Sequence, residues 1–360
     1  MNEIAGGART FTGWSTVPSI LQSPNRMDQS GLAADRRWRP RPHPAPRLAS
    51  AISTGQPRPR REFIRESALV LGAALFGPRR SAAATARAPV IDLHQHVQYS
   101  GRGDDVLVAH QRALGATVTI LMPSGDRGGE HRGGSGEHAA VVALARKFPG
   151  EFLFFANEIT DHPDAPKIIE RQLRAGAIGI GEQKFRVDCD SPELWRVAEV
   201  AREFDVPILL HFQHATYNRG IERFHRTLEK FPTVKFIGHA QAWWAHIDRH
   251  VVAGNNYPTG PVTPGGLTDR YLSDYPNCYA EVSAGSGNGA IVRDEEHYRG
   301  FIARHQDKLM FGSDCSEGTG RAPACFAART LAAIRRLSPS GEVERKILDG
   351  NARRLLKLKE

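Results

Sequence analysis

From Pro89 onward, short apolar runs rich in β-branched residues alternate with segments of helical periodicity. Few folds accept that alternation: it belongs to parallel α/β architecture, in which each strand returns through a helix. Eight runs read as strands: Val90–His94, Thr117–Met122, Phe152–Asn157, Ile178–Phe185, Pro207–Phe212, Val234–Gly238, Cys278–Val282 and Leu309–Gly312. Between them, Ser191 and Pro192 supply a cap and an N1 proline ahead of a helix at Trp195–Phe204, and further helices are expected at Ile221–Lys230 and Asp294–His305. Helices over Ala324–Leu337 and Gly341–Leu358 close the chain. Eight strands in roughly 270 residues match a (β/α)8 TIM barrel in number and size. A doubly wound open sheet is the runner-up. It usually has fewer strands, and no G-x-G-x-x-G follows the first one.

Polar residues fall at the C-terminal ends of these runs, where a barrel places its catalytic groups. The first run ends in His94-Gln95-His96, and residues i and i+2 of an extended chain share a side. The fourth ends in Glu182-Gln183-Lys184, the fifth at His211, the sixth at His239, and the eighth leads to Asp314. A lone histidine at a strand end is usually a satisfied polar residue. Convergence from four strands points instead to a metal site, with imidazole and carboxylate donors suited to Zn first, or to Mn, Fe or Co. Around it, His214, Gln241, Trp243 and Trp244 are candidate pocket residues, the tryptophans having packing under the sixth loop as their alternative. Gly125–Gly136 reads as a glycine-rich loop near the mouth without the GK[ST] of a phosphate-binding loop. The proline- and glycine-rich stretch Asn255–Gly266 is expected to cap one side of the site.

The ordered set His94-x-His96, His211, His239 and Asp314 resembles the amidohydrolase superfamily, within it the amidohydrolase-related branch that includes aminocarboxymuconate-semialdehyde decarboxylase. The resemblance spans Pro89 to about Leu358, and Gly350-Asn351-Ala352 is similar to the stretch that ends many members. It implies one or two divalent ions. The reading here is one tight ion on His94, His96, His211 and Asp314, with a second, weaker position at Glu182 and His239. Glu182 would bridge two ions directly. Lys184 would bridge only after carbamylation, or would hold a substrate carboxylate; a plain Glu182–Lys184 pair without metal contact is the bland alternative. The implied chemistry is hydrolysis of an amide, lactone or ester, with Asp314 moving a proton and His239 polarising the carbonyl. A metal-dependent decarboxylase on the same scaffold is the alternative, and a catalytically silent exported metal-binding protein is the second.

The net charge of +9 does not indicate a nucleic-acid partner. Residues 1–88 hold 14 arginines, no lysine and five acids, which accounts for the entire excess, so the body is neutral. Residues 1–59 are expected to be a disordered basic extension. Residues 60–88 resemble a twin-arginine export signal: Arg60-Arg61-Glu62-Phe63-Ile64, a short apolar run from Ala68 to Gly77, then small residues from Ser81 to Ala86. The apolar run is too short to span a membrane. These features predict a periplasmic or secreted protein that meets the twin-arginine export machinery, has no stable membrane anchor, binds a small-molecule substrate and is a candidate homodimer. Residues 89–360 form the enzyme domain. The four cysteines form no C-x-x-C pair and read as buried small apolar residues.

Overall fold

The computed structural model describes residues 88–124 and 136–359. The expected extension, the export signal and nearly all of the Gly125–Gly136 loop lie outside these residues. The strands are β1 (Val90–Gln95), β2 (Ala116–Leu121), β3 (Phe152–Phe154), β4 (Ile180–Gln183), β5 (Ile208–His211), β6 (Phe236–His239), β7 (Cys278–Val282) and β8 (Leu309–Phe311). All neighbours pair in parallel, β1-β2-β3 and β4-β5-β6-β7-β8. Two seams join the runs into a TIM barrel. An isolated bridge pairs Ala156 with Ile180, and Asp314 donates its amide to the His94 carbonyl at 2.7 Å.

Period-two alternation separates inside from outside. Leu209, Ile237 and Met310 join Ile91, Leu93, Ile120, Met122 and Phe155 in the barrel interior, while Leu210, Phe236, Ala280 and Phe311 pack outward against the helices. The same inward parity carries on to His211, His239 and, on β7, Glu281. On β1 it does not. Ile91 and Leu93 are the inward apolar residues, and a register shift between Asp92 and Gln95 changes the phase before His94 and His96. Asp92 Oδ1 holds that irregularity by accepting from the amides of His94 at 3.1 Å and Ser313 at 2.7 Å.

The helices are α1 (Asp104–Leu114), α2 (His138–Lys147), α3 (Ala165–Arg174), α4 (Pro192–Phe204), α5 (His225–Lys230), α6 (Gln241–Ala245), α7 (Leu267–Asp274), α8 (Ala284–Val292), α9 (Glu295–His305), α10 (Phe326–Leu337), α11 (Gly341–Arg345) and α12 (Asn351–Leu355). The expected cap on α4 is present: Ser191 accepts from the Leu194 amide at 3.2 Å. Two expected helices are broken. Ile221–Lys230 divides into a 3-10 turn and α5, and Gly341–Leu358 passes through a π turn at Lys346–Gly350. That turn sets α12 under the barrel floor, where Ala352 and Leu356 join the interior and Asn351 donates to the Leu309 and Gln306 carbonyls, each at 2.7 Å. None of the described helices is long and apolar enough to cross a membrane.

Trp243, a candidate pocket residue in sequence, belongs to the core. It is fully buried, with its ring 5.5 Å from Phe212 and stacked on Tyr271 at 6.4 Å. Its partner Trp244 packs on Tyr298 and Phe301. α6 starts directly after His239, so its buried face turns back over the outside of β6 rather than into the mouth. Gly238 is what admits the indole, because a Cβ there would lie 2.4 Å from the Trp243 ring. Gly238→Ala is therefore expected to destabilise the domain by about 1–3 kcal/mol, the usual cost of overpacking a dense core. Urea denaturation followed by tryptophan fluorescence checks this, and an unchanged midpoint contradicts it.

Candidate metal centre

β1, β4, β5, β6 and the segment after β8 deliver His94, His96, Glu182, His211, His239 and Asp314 to one end of the barrel. Direct pairing of His211 with His239 across β5 and β6 sets those two rings side by side, centroids 5.2 Å apart. The chain bends sharply where the ligands emerge. Ala240 has φ +78° and Asp314 φ +39°, a left-handed backbone that non-glycine residues keep only where surrounding contacts enforce it.

His94 Nε2 and His96 Nε2 stand 3.1 Å apart. Their other ring nitrogens are committed, His94 Nδ1 to Glu281 Oε1 at 2.9 Å and His96 Nδ1 to the Met122 carbonyl at 2.8 Å. With the Nδ1 protons so placed, two Nε2 lone pairs face one another. Carboxylates complete the cluster: Asp314 Oδ1 lies 3.5 Å from His96 Nε2 and 3.9 Å from His94 Nε2, and Glu182 Oε2 lies 3.6 and 3.7 Å from the same atoms. His239 Nε2 stands 3.4 Å from Glu182 and 3.7 Å from Asp314, and neither it nor Asp314 Oδ1 has a hydrogen-bond partner. Buried imidazole nitrogens and carboxylate oxygens that converge with incomplete hydrogen bonding are what a divalent cation satisfies, in place of the protons that the rings otherwise hold. Two overlapping donor sets emerge, His94–His96–Asp314 and His94–Glu182–His239.

His211 stands outside both sets. Its Nδ1 hydrogen-bonds Glu182 Oε1, and its Nε2 faces Gln213 at 3.4 Å. Of the set expected for a tight ion, His94, His96 and Asp314 come within reach of one another, while His211 contacts Glu182.

Charge follows this geometry. Burial raises the Glu182 carboxyl, but the Lys184 ammonium and His211 outweigh it and hold it well below the usual range. Asp314 likewise overcomes burial and stays ionised through His94 and His96. Burial opposes protonation of His94 and His239, yet Asp314 lifts the first well above its usual value and Glu281 lifts the second to about 9. Burial, joined by the Lys184 and His239 charges, outweighs the opposing effect of Glu182 and takes His211 down to about 4. The mouth is a concentrated negative field answered by imidazoles, the electrostatic setting a cation shares.

Glu281 is the residue that strand-end reasoning missed. Fully buried on β7, it meets His239 Nδ1 at 2.6 Å as well as His94 Nδ1, and Ser283 Oγ donates to it at 2.9 Å. A signal was available, since a lone carboxylate interrupts the apolar Cys278–Val282 run. Gly312 leaves it room, because a Cβ there would come within 2.7 Å of Glu281 Oε2. Tyr99 was also missed. Its ring stands edge-on to His96 at 5.1 Å and the Asp314 carboxylate is near enough to push its hydroxyl pKa up, but it lies in a short turn with no periodic signal.

Of the expected pocket residues, Lys184 lies at the mouth. Its ammonium is raised in pKa by Glu182 and, after a smaller opposing effect of burial, by Asp314, and no carboxylate hydrogen-bonds it among the described residues. Gln241 donates to the Tyr257 hydroxyl at 3.1 Å, which brings the Asn255–Gly266 stretch toward the same side. His214 instead lines a cleft of about 420 Å³ with Gln213, Asn218, Arg223 and His246, none of them a metal-set residue.

No curated protein matches the chain. Among solved structures, a putative 2-pyrone-4,6-dicarboxylic acid hydrolase from Pseudomonas putida aligns at 15% identity and TM-score 0.53, over 76% of this chain and 99% of that one. An uncharacterised TIM-barrel protein from Bordetella bronchiseptica aligns at 15% identity and TM-score 0.55, over 75% and 98%. A 5-carboxyvanillate decarboxylase from Sphingomonas paucimobilis aligns at 13% identity and TM-score 0.51, over 76% and 100%. At such identities the likeness is one of fold. The amidohydrolase family model, in contrast, matches residues 91–358, nearly all of the barrel. With the convergent donor sets, that match assigns the chain to the amidohydrolases, a superfamily of metal-dependent enzymes.

Proposed function

We propose that the protein hydrolyses an ester, lactone or amide bond in a small anionic substrate. The observation that carries this reading is the pairing of a convergent His–carboxylate cluster with a cation, Lys184, at its rim that feels the Glu182 and Asp314 charges but is hydrogen-bonded by neither. A divalent ion held by His94, His96 and Asp314, with Glu182 and His239 available to a second, would polarise the scissile carbonyl and lower the pKa of a coordinated water toward ~7. The donors are nitrogen and oxygen only, so Zn is the first candidate and Mn, Fe or Co remain compatible.

The protein's own groups do the rest. Asp314 is ionised and lacks a partner on Oδ1, so it can accept the proton of the attacking water and return it to the leaving group. The Tyr99 hydroxyl stands beside the same carboxylate, whose charge keeps it protonated, so it is available to donate to Asp314. His239 Nε2, without a hydrogen-bond partner in the cluster, is available to stabilise charge that develops on the substrate oxygen. Lys184 binds a substrate carboxylate and fixes which carbonyl meets Asp314. Glu281 holds the His94 and His239 rings by their Nδ1 atoms, keeping Nε2 aimed at the centre.

Metal-dependent decarboxylation is the second reading, favoured by the same Lys184, which suits a carboxylated ring equally well. Two of the fold neighbours are named for carboxylated substrates, one as a putative hydrolase and one as a decarboxylase. Glu182, placed to share a cation with His239 and to neighbour Asp314, favours hydrolysis. A panel of carboxylated lactones, esters, amides and hydroxybenzoates, assayed with Zn or Mn, separates the two. Hydrolysis products are expected; carbon dioxide release without hydrolysis would replace the first reading by the second.

Two variants test the roles. Asp314→Asn should lower kcat by about 10²–10⁴ with the fold retained, the range for loss of a general acid–base. A near-normal kcat would remove Asp314 from proton transfer. Glu281→Gln keeps the shape but replaces the anionic oxygen that both Nδ1 atoms share by a neutral, weaker acceptor, which loosens the hold on both rings. Metal affinity should fall roughly 10–100-fold, read by competition with a chelator. Unchanged affinity would show that Glu281 does not hold the ligand rings.

A further inference from the structure

Behind the catalytic aspartate, a second group of metal-type donors is left unused by the proposed reaction. His110 on α1, Cys315 next to Asp314, and Cys325 at the start of α10 come from separated parts of the chain, and all three are buried at 0–3% exposure. Cys315 Sγ lies 3.5 Å from Cys325 Sγ, and Cys325 Sγ lies 3.4 Å from His110 Nε2. One donor atom from each falls within 4.8 Å of the others.

We propose that His110, Cys315 and Cys325 form a second cation site, for a thiophilic ion of the zinc type. The spacing fits. A tetrahedral zinc with Zn–S of ~2.3 Å and Zn–N of ~2.0 Å has sulfur–sulfur and sulfur–nitrogen edges of about 3.8 and about 3.5 Å. The donors fit too, since two sulfurs and an imidazole select soft ions over the harder ones that carboxylates take. The surroundings pre-set the site. Cys325 Sγ accepts the Ala328 amide at 3.4 Å, and the Cys315 carbonyl is fixed by Arg102 at 2.7 Å and Gln95 at 3.2 Å. The consequence reaches the active site. An ion here ties the segment that follows β8 to α1, and the first residue it grips is bonded to Asp314. With three protein donors, the fourth position of a tetrahedral ion falls to water or a neighbouring backbone group, and the site is distinct from the mouth in its sulfur ligands.

Cobalt(II) titration of the reduced full chain tests the proposal, because a sulfur-to-cobalt charge-transfer band in the near ultraviolet reports thiolate ligands and the mouth contains none. The band should disappear in Cys315→Ser and in Cys325→Ser, weaken in His110→Ala, and persist in His94→Ala/His96→Ala, where the mouth no longer competes for the first equivalent and the band should saturate at one. Absence of the band in the wild-type chain with all four thiols titratable would overturn the proposal, leaving a hydrogen-bonded thiol–imidazole cluster. Loss of two thiols on denaturation without reductant would overturn it in favour of a Cys315–Cys325 disulfide. A band that survives both serine variants would move the ligands to Cys189 or Cys278 and overturn it as well.

Discussion

The carboxylate of Glu281, sealed inside β7, takes the Nδ1 atoms of His94 and His239 together, and the geometry of the mouth follows from that shared bond. A buried carboxylate without partners is costly. Here two imidazoles and the Ser283 hydroxyl converge on its Oε1, holding its carboxyl down to about 2 against the opposing push of burial, while Oε2 has no partner among the described residues. In exchange both rings are fixed in orientation and tautomer, and their Nε2 lone pairs are directed toward Asp314 and Glu182. Gly312 is part of the same arrangement, because any side chain there would occupy the space of Glu281.

The barrel supplies the second constraint. Its strands keep a period of two, and on β5, β6 and β7 the inward parity leads directly to His211, His239 and Glu281. β1 reaches the mouth only after a change of phase, stabilised by Asp92, which also receives the Ser313 amide beside the closing seam. The interaction that closes the cylinder, Asp314 amide to His94 carbonyl, thus joins two candidate ligands. Closure of the fold and assembly of the site are one event, so lesions at Asp92 or Ser313 should disturb both.

Much of this was legible in the sequence because barrel strands announce themselves as apolar runs ending in polar residues. The eight strands, the α4 cap and the convergence of His94, His96, Glu182, His239 and Asp314 came from that pattern. What escaped it depends on contacts between distant residues. Whether His211 meets an ion or Glu182 is decided by side-chain reach across neighbouring strands. Trp243 follows a candidate ligand closely enough to suggest the pocket, yet the missing side chain at Gly238 draws it into the core. Glu281 was visible as a charge in an apolar run, but its partners were not. The Cys315–Cys325–His110 cluster has no local spacing at all, since its members come together only when α10 packs beside α1 and β8.

The central claim is that the Nε2 atoms of His94 and His96 bind a divalent ion together with Asp314. Elemental analysis of the purified full chain and of its His94→Ala/His96→Ala variant, prepared without chelator, tests it most directly. The account predicts that the variant holds at least one equivalent of transition metal per chain less than the wild type while keeping its far-ultraviolet circular dichroism. Equal metal content in the two folded proteins would contradict it.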